Sequence, residues 1–288
     1  MDRNFVQRVS VVAVAVPVSV FVVYQGGMVL ALALAAVGAL GAREVFDLAR
    51  KGGVDAAWGL GLIGAAAPAL VTYTVLTGGD LGEAAARGWI ALAAAWLLVL
   101  LTWVLGTRRP DQKPLSAIAT TLFGVVYAGA LPAFLLAIRH PHEGPRSWAG
   151  VALVFFPLVV VWVCDTAAMF AGRAIGGPKL APTVSPGKTR SGAMAGVIGA
   201  VAASLLYVAV VLEPSGFRVP VWQGVIFGLL LGVVGQVGDL VESLMKREAG
   251  VKDSSTLIPG HGGMLDRLDS LYFALPAATI LYLAFGIV

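Results

Sequence analysis

A polar stretch near the end of the chain decides how the rest of the sequence is interpreted. Residues 238–269 read G-D-L-V-E-S-L-M-K-R-E-A-G-V-K-D-S-S-T-L-I-P-G-H-G-G-M-L-D-R-L-D, and apolar runs flank them at 221–237 and 271–288. Charged side chains at the mouth of a membrane helix are expensive, and they are a mark of function. This stretch mixes carboxylates with Lys, Arg and His, which suits a metal ion together with a phosphate. We therefore interpret it as a functional site rather than a solvated loop.

The composition of the whole chain is that of a membrane protein. Of its 288 residues, 58% are hydrophobic and 12% are charged, whereas soluble domains are near half apolar and a quarter charged. At about 20 apolar residues per crossing, we predict an all-α, polytopic integral membrane protein with about nine transmembrane helices. Their approximate ranges are 8–25, 27–45, 56–78, 87–106, 115–138, 148–172, 191–212, 221–245 and 270–288. The first run follows Arg3 and Arg8 as a signal peptide would, but a second run follows at once, so we expect an uncleaved span.

The distribution of Lys and Arg predicts the orientation. We divide the chain into an N-terminal region of five spans, 1–145, and a C-terminal catalytic region of four spans, 146–288. Cytoplasmic loops are enriched in Lys and Arg. With a cytoplasmic N-terminus, 16 of the 20 Lys and Arg residues fall on the cytoplasmic side. The polar segments 173–191 and 246–269 then face the cytoplasm, and any substrate they share is cytosolic or in the inner leaflet.

Composition also argues against several kinds of partner. A single cysteine, Cys164, excludes an intramolecular disulfide. One cysteine and three histidines do not make up a zinc site. No basic run with interleaved aromatics is present, so we predict no nucleic-acid partner. The small residues Gly192, Gly196 and Ala200 succeed one another at helical spacing, which suits contacts in a homodimer or internal packing equally well.

The first polar constellation is Asp165 in the sixth predicted span, within V-V-V-W-V-C-D-T-A-A-M-F-A-G-R. A buried carboxylate requires a partner. Asp165, Met169 and Arg173 share a helix face at four-residue steps. Asp165 therefore either pairs with a neighbouring helix or lines a cavity that opens toward Arg173, and we predict that it contacts substrate.

The second constellation is the loop R-A-I-G-G-P-K-L-A-P-T-V-S-P-G-K-T-R-S-G, residues 173–192. Its prolines and glycines exclude a helix. Hydroxyls, N–H groups and cations at a helix N-terminus favour an anion, so we predict phosphate binding by Ser185, Lys188, Thr189 and Arg190. The triplet G-K-T is like the end of a P-loop, but the spaced glycine and preceding strand are absent, and a Walker-type NTPase is rejected. The alternative is a basic loop that touches only anionic lipid.

The third constellation is the opening stretch itself. Asp239 and Glu242 fall on one face of the eighth span, and Asp266 and Asp269 lie one turn apart at the start of the ninth. Mg²⁺ takes one or two carboxylates and completes its shell with phosphate oxygens and water. Two such helices that converge at a membrane boundary would hold this ion, and we predict all four carboxylates as metal ligands. Glu242 could instead pair with Lys246, one turn further on.

These stretches resemble the signatures of a known family. Residues 243–269 are similar, without a gap, to the C-terminal motif of phosphatidate cytidylyltransferases, also called CDP-diacylglycerol synthases, from S-x-x-K-R through K-D to H-G-G-x-x-D-R-x-D. The segments D-T-A-A-M-F-A-G-R-A-I-G, 165–176, and S-P-G-K-T-R-S-G, 185–192, also resemble the family. Gly187 and Ser191 stand where members often have Lys and Glu, which puts the roles at those two positions in doubt. The resemblance covers roughly the C-terminal half of the chain.

The resemblance implies an enzyme of phospholipid biosynthesis in the inner, cytoplasmic membrane. This nucleotidyltransferase would convert CTP and phosphatidic acid to CDP-diacylglycerol and pyrophosphate. The resemblance further implies Mg²⁺ as cofactor, with potassium as a second cation, and carries the metal-binding role to Asp239 and Asp266.

The chemistry of such a reaction is charge neutralisation more than base catalysis. A phosphate monoester, whose second pKa is about 6, is already mostly anionic at neutral pH, so positioning and electrostatics dominate. The predicted catalytic residues are Asp239, Asp266, Lys246 and Arg267. The predicted substrate-binding residues are Asp165, Ser185, Lys188, Thr189, Arg190, Arg247, His261, Gly262 and Gly263. Pro259, Gly260, Gly262 and Gly263 permit a tight backbone turn, which brings this segment close to another backbone or to a phosphate. For His261, a hydrogen bond that stabilises this turn is at least as well favoured as proton transfer.

Two other classes of function stay open. A different CTP-dependent membrane lipid enzyme, such as a polyprenol kinase or an archaeol-type cytidylyltransferase, would keep the phosphate-and-metal site and change the lipid acceptor. A transporter is disfavoured, because transporters bind near the midplane between broken helices, whereas these charges gather at the cytoplasmic helix ends.

Overall fold

Helices make up most of the chain in this computed structural model, which describes residues 3–78, 80–140, 146–260 and 262–288. The helices are α1 (Arg3–Gln25), α2 (Gly27–Lys51), α3 (Trp58–Thr77), α4 (Asp80–Thr107), α5 (Pro114–Gly124), α6 (Leu131–Arg139), α7 (Trp148–Ile175), α8 (Arg190–Tyr207), α9 (Val221–Glu248), α10 (Leu265–Leu268) and α11 (Leu271–Ala284). One antiparallel hairpin, β1 (Lys179–Ala181) and β2 (Ser185–Thr189), connects α7 to α8. The predicted all-α, polytopic class is confirmed.

The helices that can cross a membrane were located correctly by hydropathy. In the described part of the chain, seven segments are long and apolar enough to do so: Gly27–Lys51, Trp58–Thr77, Ala86–Thr107, Pro110–Arg139, Trp148–Ile175, Arg190–Leu212 and Val221–Glu248. Helix α1 adds the shorter apolar stretch Ala13–Gln25, and α11 has 14 residues. A full crossing takes about 20 residues. The count of nine spans and the side of each terminus therefore stay predictions.

Two of these spans contain a π-helical stretch. Val125–Ala130 joins α5 to α6, and Val208–Leu212 extends α8. A π-helical turn holds an extra residue and shifts the register of the side chains after it. Hydropathy alone does not reveal such a turn, because the apolar run continues through it.

The chain divides into two compact units. The first comprises Met1–Ala137 and Glu248–Arg267, and the second comprises Ile138–Arg247 and Leu268–Val288. The division of the chain into regions 1–145 and 146–288 stays a prediction. The segment Glu248–Arg267 belongs to the first unit. The reason is a set of hydrogen bonds from this segment to the carboxylate of Glu44 on α2.

Small residues bring the helices of the first unit close together. A Cβ atom added to Gly38 on α2 would lie 2.7 Å from the carbonyl oxygen of Ala65 on α3. One added to Gly129, in the π-helical stretch, would lie 2.4 Å from the same oxygen and 2.8 Å from the Ala65 Cα. Backbones that approach this closely are typical of helix association in lipid, where apolar burial gives no advantage over contact with the acyl chains.

The second unit uses the predicted small-residue face in the same way. A Cβ on Gly192 would lie 2.6 Å from the carbonyl oxygen of Ala168 on α7, and one on Gly196 would lie 3.0 Å from that of Cys164. Ala200, on the same face of α8, is completely buried. Internal packing therefore occupies this face. A homodimer stays a prediction.

The Gly129 contact predicts a loss of stability on substitution. We expect Gly129→Ala to destabilise the first unit by about 1–3 kcal/mol, the usual cost of overpacking, because its Cβ has no room beside Ala65. The measurement is the apparent melting temperature of the purified protein in detergent. Gly106→Ala on α4 is the control, since nothing lies within 4 Å of the added Cβ there. A Gly129→Ala protein that melts at the wild-type temperature would contradict the close contact.

Candidate active site

A lysine–carboxylate pair lies at the centre of the polar residues in the second unit. Lys188 on β2 places its Nζ 2.5 Å from Oδ2 of Asp239 on α9. The hydroxyl of Ser243, one turn along α9, donates to Asp239 Oδ1 at 3.3 Å. The Lys188 and Asp239 side chains are 28% and 26% exposed, so the pair is partly open to solvent. Two residues predicted from separate motifs are thus brought into contact.

Two further carboxylates surround this pair. Asp165 on α7 interacts electrostatically with Asp239, Asp269 and Lys188. Asp269 accepts a hydrogen bond from the Ser270 N–H at 2.6 Å. Burial, and then the charge of Asp239, raises the pKa of Asp269 to about 6. The three carboxylates of this cluster therefore outnumber the two lysines that interact with them, Lys188 and Lys246, and a bound cation would offset that excess.

Glu242 adopts the alternative that the sequence left open. Its carboxylate forms an ion pair with Nζ of Lys246, one turn further along α9. The Glu242 side chain is completely buried, and that of Lys246 is 10% exposed. Removing one partner of a buried pair is costly because it leaves the other charge uncompensated. This ion pair is the role that the structure gives Glu242, and metal binding by Glu242 stays a prediction.

The loop between α7 and α8 is non-helical, as predicted, and it is built as a hairpin. Lys179 pairs with Thr189, and Ala181 pairs with Ser185. The Arg190 N–H donates to the Pro178 carbonyl at 2.9 Å.

Arg247 on α9 reaches the turn of this hairpin, where its Nε donates to the Val184 carbonyl at 3.2 Å. The hairpin is therefore fixed at its base by backbone pairing and at its turn by an arginine. This arrangement holds Lys188 between two anchored points.

Thr189 caps the helix after the hairpin. Its Oγ1 accepts a hydrogen bond from the Gly192 N–H at 3.1 Å and lies 3.1 Å from the Ser191 hydroxyl. The Ser191 hydroxyl in turn donates to the Gly176 carbonyl. Thr189 is 6% exposed. A threonine in this position satisfies one of the N–H groups that a helix start leaves without a partner, so the structure gives its hydroxyl a role in folding.

The signature turn, residues 254–260 and 262–265 of the first unit, is organised around Asp266. Asp266 Oδ2 accepts hydrogen bonds from the Ser254 N–H at 2.8 Å, the Ser254 hydroxyl at 2.7 Å and the Gly263 N–H at 2.8 Å. Gly262 has a φ of +78°, and a Cβ there would lie 2.6 Å from Asp266 Oδ2. Only glycine has both this conformational freedom and this small size. The predicted tight turn at Gly262 and Gly263 is present.

Glu44 on α2 is a residue that sequence reasoning missed. Its carboxylate accepts hydrogen bonds from the hydroxyls of Ser254 and Ser255 and from the N–H groups of Met264 and Leu265. It is 3% exposed. The signal that could have revealed it is the rule that selected Asp165, namely that a carboxylate within an apolar span is functional or has a dedicated partner.

The remaining predicted residues lie in different parts of the chain. Arg267 is exposed at the end of α10, and His261 lies outside the described residues. Asp239 belongs to the second unit and Asp266 to the first. Their joint action on one metal ion stays a prediction.

Sequence comparisons identify the family. The profile described as "Cytidylyltransferase family" matches residues 6–285. The chain belongs to the cytidylyltransferase family. The resemblance seen in the signature motifs is confirmed.

Three relatives illustrate the similarity. The chain is 43% identical over 204 residues to a phosphatidate cytidylyltransferase from Brucella suis, covering 71% of this chain and 66% of that protein. It is 32% identical over 293 residues to one from Synechocystis sp., covering 94% of each chain. It is 35% identical over 197 residues to one from Haemophilus influenzae, covering 68% and 66%. The match thus spans just under two thirds of the Brucella and Haemophilus proteins and nearly all of the Synechocystis protein.

Oxygen donors in the second unit fit a hard divalent cation. Among the His, Cys, Asp and Glu residues that the structure describes, no group of three is arranged to hold a metal ion. Mg²⁺ does not require such a group, because it usually keeps several waters and uses one or two carboxylates plus substrate phosphates. Asp239 and Asp269, which interact electrostatically in the second unit, are donors of the kind that Mg²⁺ prefers.

The capping role of Thr189 is testable by a pair of substitutions. We expect Thr189→Val to lower the free energy of unfolding by about 1 kcal/mol, the usual cost of losing a cap, and Thr189→Ser to preserve it. Apparent melting temperatures in detergent measure the effect. If Thr189→Val melts like the wild type and still loses activity, the hydroxyl acts on substrate and the capping role is wrong.

Proposed function

We propose that the chain is a phosphatidate cytidylyltransferase, which converts CTP and phosphatidic acid to CDP-diacylglycerol and pyrophosphate. The observation that carries this proposal is the family match over residues 6–285, together with relatives of that name, one of them aligned over 94% of the chain. The polar clusters of both units support it, because they supply cations and oxygen donors in a chain that is otherwise largely apolar.

The reaction joins two anions. An oxygen of the lipid phosphate attacks the α-phosphorus of CTP, a new P–O bond forms, and the bond from that phosphorus to the bridging oxygen of the β-phosphate breaks. Pyrophosphate leaves with the electron pair. The attacking oxygen is already deprotonated for the most part, since the second pKa of a phosphate monoester is about 6. The protein therefore has to hold and neutralise the reactants rather than remove a proton.

Lys188 is the residue best suited to hold a phosphate. Its ammonium group carries three N–H donors, so it can contact a phosphate oxygen while it keeps its ion pair with Asp239. We propose that Arg190, Lys246 and Arg267 contribute further positive charge to the triphosphate and the lipid phosphate, and that Ser185 donates a hydrogen bond. Asp165 is proposed to tune the charge around Lys188, with which it interacts electrostatically.

Mg²⁺ is the proposed cofactor, with Asp239 and Asp266 as its ligands and Glu242 and Asp269 in support. When bound, the ion would neutralise charge on the triphosphate. Asp239 and Asp269 interact in one unit, and Asp266 lies only three residues before Asp269 in the chain. Potassium as a second cation rests on the family resemblance alone.

We further propose that the protein lies in the inner membrane with this site on the cytoplasmic side. The support is the placement of 16 of the 20 Lys and Arg residues on one side when the N-terminus is cytoplasmic, as expected for cytoplasmic loops. CTP is a cytosolic solute, so a site on that side has access to it. A homodimer stays a proposal to be tested by the size of the purified protein in detergent.

The lipid acceptor distinguishes this proposal from its two enzymatic alternatives. We expect the purified full-length chain, given labelled CTP and Mg²⁺, to form a CDP-linked lipid from phosphatidic acid. Polyprenol and a phosphorylated, unsaturated ether lipid are the competing acceptors, and the products are separated by chromatography. Phosphorylated polyprenol as the product would identify a kinase, and faster CMP transfer to the phosphate of the phosphorylated ether lipid would identify an archaeol-type enzyme.

The metal assignment predicts the effect of removing single carboxylates. We expect Asp239→Asn and Asp266→Asn each to lower the rate about 100-fold or more, the scale seen when one preorganised electrostatic group is lost, and to raise the Mg²⁺ concentration needed for half-maximal rate. Glu213→Gln, an exposed carboxylate in the second unit, is the control and is expected to retain wild-type activity. Near-normal rates in both aspartate variants would remove the metal assignment.

A further inference from the structure

Glu44 stands out because the proposed mechanism does not use it and the fold gives it four donors. It lies on α2, inside a segment that is apolar enough to cross a membrane, and it is 3% exposed. Its partners are more than 200 residues away in the chain; Ser254, for example, is 210 residues distant. A carboxylate buried in such a place needs strong hydrogen bonds to offset the loss of water.

The four donors are shared equally between the two carboxylate oxygens. Oε1 accepts from the Ser255 hydroxyl at 2.6 Å and the Met264 N–H at 2.9 Å. Oε2 accepts from the Ser254 hydroxyl at 2.8 Å and the Leu265 N–H at 2.8 Å. The Ser254 hydroxyl has one proton and also lies 2.7 Å from Asp266 Oδ2, so it donates to one of the two carboxylates at a time, whereas the other three donors contact Glu44. Hydrogen bonds to a charged acceptor are also stronger than neutral ones.

These contacts connect Glu44 to Asp266, a predicted catalytic and metal-binding residue. The Ser254 hydroxyl lies 2.8 Å from Glu44 Oε2 and 2.7 Å from Asp266 Oδ2. Asp266 also accepts from the N–H groups of Ser254 and Gly263. Glu44 and Asp266 thus share the Ser254 hydroxyl, and between them they contact both ends of the signature turn, residues 254–260 and 262–265.

Gly263 is explained by the same contact. A Cβ at this position would lie 2.1 Å from the Ser254 hydroxyl oxygen and 2.4 Å from Glu44 Oε2. No side chain fits at that distance, so the glycine lets the turn lie directly against the carboxylate. From the sequence, Gly263 indicated a close approach to backbone or phosphate, and the structure shows the approach to be toward Glu44.

We propose that Glu44 is a positioning residue for the reaction: it holds the signature turn so that Asp266 is presented in a fixed orientation. This proposal rests on the proposed function, in which Asp266 acts on the metal and the substrates. Glu44 itself touches neither substrate nor metal. It acts through the backbone of Met264 and Leu265 and through the hydroxyls of Ser254 and Ser255.

The distribution of donors determines which substitution is informative. In Glu44→Gln, one oxygen becomes an NH₂ group, which cannot accept a hydrogen bond. Each oxygen of Glu44 faces one backbone N–H, so either orientation of the amide places the NH₂ against the Met264 or the Leu265 N–H. Glu44→Asp keeps both acceptors but is one methylene shorter. Asp47→Asn is the matched control, because Asp47 lies one turn further along α2 and pairs with Arg43 and Arg50 instead.

The test combines hydrogen–deuterium exchange with steady-state kinetics on the full-length protein in detergent. In Glu44→Gln we expect faster exchange confined to peptides that cover 254–266, and a kcat lower by about 100-fold, the scale of a small misplacement at an active site. KM for CTP should change by less than about threefold, because an interaction felt mainly in the transition state affects kcat. Glu44→Asp should recover part of the exchange protection in 254–266 and part of kcat, and Asp47→Asn should match the wild type in both.

Two results would overturn the proposal. One is wild-type exchange in 254–266 together with wild-type kcat in Glu44→Gln. The other is exchange that rises in all helices along with a lower melting temperature, which would assign Glu44 to general stability. If Glu44→Gln cannot be purified folded, Ser255→Ala replaces it. Ser255→Ala removes one hydrogen-bond donor to Glu44. It should speed exchange in 254–266 and lower kcat about fivefold, the equivalent of one hydrogen bond. No change in either the exchange or kcat would also overturn the proposal.

The exchange experiment separates this proposal from the proposed function. It reports on the turn without any turnover, so it decides whether Glu44 holds residues 254–266 even if the wild-type protein forms no CDP-linked lipid. In that case the acceptor experiment rejects the proposed reaction, and the positioning role for that reaction is rejected with it. If CDP-diacylglycerol is formed and the exchange is unchanged, the function stands and the role of Glu44 is wrong.

Discussion

The structure depends on how carboxylates are balanced in a chain that is mostly hydrocarbon. An ionised carboxylate removed from water is tolerated only when cations or hydrogen-bond donors replace the lost solvation. The two units meet this requirement differently. In the second unit, Asp239 pairs with Lys188 and Glu242 pairs with Lys246. In the first unit, Glu44 and Asp266 are balanced by backbone N–H groups and serine hydroxyls.

These two ways of balancing charge suit two requirements of the proposed phosphoryl chemistry. One is a cation that can follow the phosphate, and the other is an orientation that stays fixed. Lysine is a flexible point charge that can track a phosphate as the charge on it changes, and Lys188 is carried on a hairpin held at its base and its turn. Backbone donors, in contrast, fix an orientation and need no rearrangement during the reaction. The Glu44–Ser254–Asp266 arrangement is of this second kind. A site that brings two anions together, as in the proposed reaction, benefits from both.

Features set by local spacing were predicted well from the sequence, and features set by distant contacts were predicted poorly. Helices were found in all nine expected ranges because apolar runs are long and continuous, and the prolines at 178, 182 and 186 correctly excluded a helix. The Asp239–Ser243 contact results from one turn of helix. The cap formed by Thr189 competes with the predicted phosphate contact, because a hydroxyl before a helix suits both. Glu44 escaped notice because no local pattern connects it to donors near residue 264.

The position of Glu44 has a consequence for how the protein is made. The signature motif is synthesised about 200 residues after Glu44 on α2, which accepts hydrogen bonds from it. The turn cannot reach its final geometry until residue 265 has left the ribosome, and the contact between Glu44 and Ser254 then spans 210 residues. A fragment that begins after α6 would carry the complete signature motif and would still lack Glu44, the carboxylate that the motif contacts. Truncation at the N-terminal half should therefore abolish function even though every signature residue is retained.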